Sequence, residues 1–94
     1  LFGLSAPISV IERVLGYCAR ALPNETGGIL IGRYSESLDM AMISEATPAP
    51  PDSRAGRTWF YRGTRGLASL LDEAWQEGLY YLGEWHFHPL AGPT

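Results

Sequence analysis

The chain has 94 residues, a formal net charge of −3, 46% hydrophobic and 12% aromatic residues, which suits one folded domain spanning 1–94 with a modest core. Its basic residues are scattered, and the densest group, Arg54, Arg57, Arg62 and Arg65, lies close to Asp52, Asp72 and Glu73, so nucleic acid is not an expected partner. No apolar run is long enough to span a bilayer, no secretory h-region follows the first residues, and the single Cys18 fits a reducing cytoplasm, which is the expected location.

Residues 1–7 form an apolar lead-in. A first helix is expected from Pro7 or Ser9 to about Leu22, with Ile8, Ile11, Leu15, Cys18 and Leu22 on its apolar face. Pro23-Asn24 ends it. Ile29 to Ile31 reads as a short buried strand, preceded by Gly27-Gly28, a pair that permits close backbone approach or a bulge. A polar turn over 34–39 leads to a second strand over 40–46, antiparallel to the first because the connection is short.

The segment 47–57 contains Pro48, Pro50, Pro51 and Gly56 and reads as an exposed loop. A short strand is expected at 58–61. A second helix follows over about 64–77, with Leu67, Leu70, Leu71, Ala74 and Trp75 on one face, and Gly78 stops it. Residues 79–88 form the last strand. This order predicts an α+β domain in which a small mixed β-sheet is flanked by two helices. The absence of an initiator Met at Leu1 and the irregular stretch before Thr94 read as the edges of a longer chain.

The chemistry concentrates in Gly83-Glu84-Trp85-His86-Phe87-His88-Pro89, which holds both histidines of the protein. Strand side chains alternate, so His86 and His88 face the same way and supply half of a tetrahedral zinc site. Pro89, lacking an N–H, stops the ladder. Catalytic zinc needs a third protein ligand and a general base. Glu84 shares the histidine face and is open to three readings: ligand, neighbour of a ligand, or exposed strand residue. Glu25, where a loop meets the glycine-paired strand, is either a solvated turn residue or a base held at the sheet edge. Cys18 on its apolar stripe reads as core, and Asp39 and Asp52 sit in loops without a supporting pattern.

Glu25 followed by Gly27-Gly28-Ile29-Leu30-Ile31-Gly32, with His86-Phe87-His88-Pro89 behind Gly83-Glu84-Trp85, resembles the JAMM metallopeptidases of the JAB/MPN domain family. The resemblance covers nearly the whole chain. It implies an α-β-α sandwich of MPN type, lacking its C-terminal part in these 94 residues. It implies that His86 and His88 ligate zinc and that Glu25 is the general acid/base in hydrolysis of a peptide or isopeptide bond. The family's third ligand and its oxyanion-stabilising serine, in Ser-x-x-Asp, would fall after Thr94, so the chain as it stands is expected to hold zinc poorly and to be inactive. The implied partners are protein substrates, with ubiquitin-like and sulfur-carrier proteins as the classes, and the wording is closest to stand-alone bacterial members.

The competing reading is a metal-free MPN-type scaffold or interaction module, against which intact Glu25, His86 and His88 stand. A zinc deaminase would need a Pro-Cys-x-x-Cys after the histidines, and one Cys before them does not supply it. A Cys-His hydrolase would need an exposed Cys18. Trp59, Trp75 and Trp85 are expected in core and groove packing. The 47–57 segment reads first as a plain loop; the alternative reading has it and the segment after Pro89 flank the cleft and clamp an extended substrate tail by strand addition.

Overall fold

The computed structural model describes residues 3–37 and 39–89. In chain order it contains β1 (Gly3–Ser5), α1 (Ile8–Ala21), β2 (Thr26–Tyr34), β3 (Met40–Ala46), β4 (Arg54–Ala55), β5 (Phe60–Tyr61), α2 (Leu67–Gln76) and β6 (Tyr80–Phe87). Four strands form a sheet in the order β1-β3-β2-β6, and β4 with β5 makes a separate hairpin. β1 runs parallel to β3, while β2 is antiparallel to both β3 and β6.

β2 is the inner strand that organises the rest. Strand residues alternate faces, so Ile29 and Ile31, at 1% and 0% exposure, go one way, where Ala74, Leu67, Leu70 and Leu71 of α2 meet them. Leu30 goes the other way and packs with Val10 of α1, Ile43 and Ala46 of β3, and Trp85 of β6. Each helix thus covers one face of a mixed sheet, the α+β sandwich expected.

Several local expectations are corrected. The lead-in contains β1, a strand too short for periodicity to reveal. The strand expected at 29–31 runs from Thr26 to Tyr34, because β6 pairs its Thr26–Ile29 end and β3 pairs its Arg33–Tyr34 end. The 47–57 loop carries β4. α2 starts at Leu67 and not near residue 64, because the Thr64 and Arg65 N–H groups donate to Asp52 and Gly66 takes a left-handed φ of 84°. The largest correction concerns α1. Ile8, Ile11, Leu15 and Leu22 are exposed, and Val10, Val14 and Tyr17 turn inward. Both stripes have helical spacing, and the residues facing the helix select one. Trp59 and Trp75 are also exposed, at 51% and 66%, so Trp85 is the tryptophan that packs inside. Among the described residues no helix is long and apolar enough to cross a membrane.

Candidate active site

β2 and β6 bring the sequence-predicted residues together. Thr26 pairs with Phe87, Gly27 with His86, Gly28 with Trp85 and Ile29 with Glu84. Cross-strand partners share a face. Glu84 and His86 therefore stand on the Ile29 face, and Trp85 stands on the face of α1, where it stacks with Tyr17. The His86 and His88 rings lie nearly parallel, with an interplanar angle of 14° and centroids 5.9 Å apart. Alternation from a β-strand, extended by one residue past its end, produces this pair.

Glu25 arrives from the other side. α1 ends at Ala21, and the chain turns through a cis Leu22–Pro23 peptide into β2. The Glu25 backbone N–H donates to the Gly56 carbonyl at 2.9 Å. Its side chain is inward, the whole residue being 9% exposed. One carboxylate oxygen, Oε1, lies 3.2 Å from Nδ1 of His88. A buried carboxylate and two imidazoles on a rigid two-strand frame thus converge. The turn-residue alternative for Glu25 does not describe this placement.

The glycine pair explains how the strands come so close. A Cβ on Gly27 would stand 2.5 Å from the Trp85 carbonyl oxygen and 3.1 Å from the Phe60 ring. A Cβ on Gly28 would overlap the Thr47 carbonyl oxygen. Thr47 occupies that space to good effect. It is buried, its hydroxyl accepts the Ile29 N–H at 3.0 Å, and its carbonyl accepts the Trp85 indole N–H at 2.9 Å.

Glu84 is engaged by Arg62, whose Nε lies 2.9 Å from Oε1. Phe60 meets the His86 ring at 80° with centroids 6.0 Å apart. Phe60, Arg62 and Gly56 are site neighbours that the sequence reading did not assign. The short strand expected at 58–61 was the available signal, but nothing local indicated which strand it would approach. Cys18 is free and part-buried on α1, and burial pushes its thiol up, opposed weakly by a backbone hydrogen bond, which does not suit a nucleophile. Asp39 is held below the usual carboxylate range by Ser37 and then Ser35 within its own turn, apart from the site.

Among the described residues no group of three or more His, Cys, Asp or Glu forms a set that could hold a metal. The third ligand and the serine expected after Thr94 lie outside the described residues. His86 and His88 are two imidazoles of the kind zinc takes as donors, with the Glu25 carboxylate beside them as a candidate base.

Comparison with known proteins bears on family and fold. The family model for prokaryotic homologs of the JAB domain matches residues 7–94. A curated relative from Enterobacter hormaechei subsp. hoffmannii (strain UCI 50), named CD-NTase/cGAS isopeptidase, is 56% identical over 93 residues. That match covers 99% of this chain and 52% of the relative, so the chain spans about half of the relative's length. A solution structure of a Desulfitobacterium hafniense protein superposes with a TM-score of 0.70 at 24% identity, covering 95% of this chain and 57% of that one, a likeness of fold. The match to the family model over residues 7–94 establishes that the chain belongs to the prokaryotic homologs of the JAB domain.

Proposed function

We propose that the protein is a zinc-dependent isopeptidase or peptidase acting on a protein substrate. The observation that carries this reading is the approach of the buried Glu25 carboxylate to His88, 3.2 Å away, beside the stacked His86 ring. His86 and His88 would hold the zinc, with a further ligand from outside residues 3–89. When bound, zinc supplies Lewis acidity that polarises the scissile carbonyl. Glu25 takes a proton from the attacking water as the new C–O bond forms. It then delivers that proton to the amine nitrogen as the C–N bond breaks. Its burial keeps bulk water from competing for the proton on the protein side.

The relative's name supports the isopeptide class and couples it to CD-NTase/cGAS, which makes a conjugate of such a protein the first substrate to try. Ubiquitin-like and sulfur-carrier proteins are the further substrate classes. The test uses the full-length protein. A chelator abolishes cleavage of the conjugate, and added zinc restores it. Glu25→Gln lowers turnover by about 10²–10⁴-fold while metal content, read by elemental analysis, is retained. Residues 1–94 alone bind zinc more weakly than the full-length protein. Undiminished cleavage by Glu25→Gln overturns the base. Full-length protein that neither binds zinc nor cleaves, yet captures a partner, is the scaffold instead.

A further inference from the structure

The β4–β5 hairpin touches the site at three points. The Gly56 carbonyl, just after β4, accepts the Glu25 N–H at 2.9 Å. Phe60 of β5 sets its ring against His86. Arg62, next after β5, reaches Glu84 at 2.9 Å. The first contact is a single neutral hydrogen bond and the second a single ring contact. The hairpin itself has two residues per strand, and so short a ribbon is marginal alone. Its base, next to Arg62, is closed by Asp52, which accepts the Thr64 and Arg65 N–H groups, and by Ser53, which accepts the Gly63 N–H. On the β6 side the contact that combines charge with a hydrogen bond is Arg62–Glu84. Both side chains are partly shielded, at 25% and 37% exposure, which limits screening by solvent.

We propose that the Arg62–Glu84 pair is a latch that positions the β4–β5 hairpin on β6. Through the hairpin it holds the His86 ring and the Glu25 backbone in register. Glu84 is then a positioning residue and not a metal ligand. Its carboxylate stands on the histidine face because Arg62 must reach it there. Released from β6, the short hairpin frays from its base, where Arg62 sits, and its own Gly56–Trp59 hydrogen bond loosens together with the Gly56 and Phe60 contacts to Glu25 and His86. The consequence for turnover rests on the peptidase reading. The consequence for hairpin mobility does not.

The decisive measurement is amide hydrogen exchange by NMR on the full-length protein. The reporters are the Glu25 N–H, donated to Gly56, and the Gly56 N–H, donated to Trp59. In Arg62→Gln and in Glu84→Gln both reporters exchange about two- to fivefold faster, the scale of one partly exposed ion pair. Amides of β2 and β3 keep their wild-type rates. The swapped double variant Arg62→Glu/Glu84→Arg restores protection. Turnover of the conjugate falls by a similar factor in the single variants, with KM within about twofold of wild type, and the swap recovers it. Unchanged exchange at Glu25 and Gly56 overturns the latch. So does faster exchange spread through β2 and β3, which marks general destabilisation. An enzyme without turnover before any substitution overturns the peptidase reading while the exchange result still decides the latch.

Discussion

Gly28 shows how much of the site rests on an absent side chain. Its position opposite Trp85 lets Thr47 press its carbonyl and hydroxyl against β2. Gly28→Ala pushes a methyl into the Thr47 backbone, which cannot yield as a side-chain end would. Overpacking of this kind costs about 1–3 kcal/mol, and chemical denaturation of wild type and variant checks it. The double glycine was legible as a place of close approach, but what approaches was not. Thr47 lies eighteen positions from its Ile29 partner, and nothing in its local sequence marks it as a bridge. Glu25 presents the same limit. Its alternatives differed in burial, and burial is decided by the Gly56 carbonyl and the β6 histidines, which come from distant parts of the chain.

At the scale of elements, the helices, the longer strands and the short strand expected at 58–61 were legible, and β1 and β4 were not. β1 and β4 have three and two residues, too few for a period to show. They exist because a neighbour supplies their hydrogen bonds. The connection from the hairpin to α2 has a pH dependence of its own. The Thr64 N–H and then the Arg65 N–H hold the Asp52 carboxyl below its usual range. A carboxyl whose folded pKa is depressed contributes stability above its unfolded value, about 3.9, and loses it as pH falls through the folded value. The Asp52 contribution is therefore intact near neutrality and fades in acid. Urea midpoints taken at about pH 6 and about pH 3 differ more in wild type than in Asp52→Ala, which lacks the titrating group. Equal differences in the two proteins contradict the assignment.

In the whole molecule, the sheet is covered by α2 on the Ile29 and Ile31 face and by α1 on the Leu30 face. α2 contacts that face beside Ile29 and Ile31, while Phe60 and Arg62 reach its Glu84–His86 end. That division places the histidines beside a small hairpin and not beneath a helix. The orientation of α1 is directly testable. Val10 is 7% exposed and Leu15 62%. Val10→Ala costs about 0.5–3 kcal/mol, whereas Leu15→Ala stays within about 0.5 kcal/mol, as thermal or urea unfolding will show. Equal losses would restore the face that periodicity suggested.

The sequence by itself determined the helices, the longer strands, the same-face histidine pair and the family resemblance. These depend on spacing along one strand or helix, and the backbone repeats of 2.0 and 3.6 residues convert spacing into direction. Only the tertiary structure decided which stripe of α1 is buried, where the Pro-rich segment forms a strand, that Glu84 is held by Arg62, and that Glu25 is buried against His88. Each of these is a choice between partners far apart in the chain. Local propensity and periodicity are blind to that choice, because it is made by the shape and charge of what packs opposite.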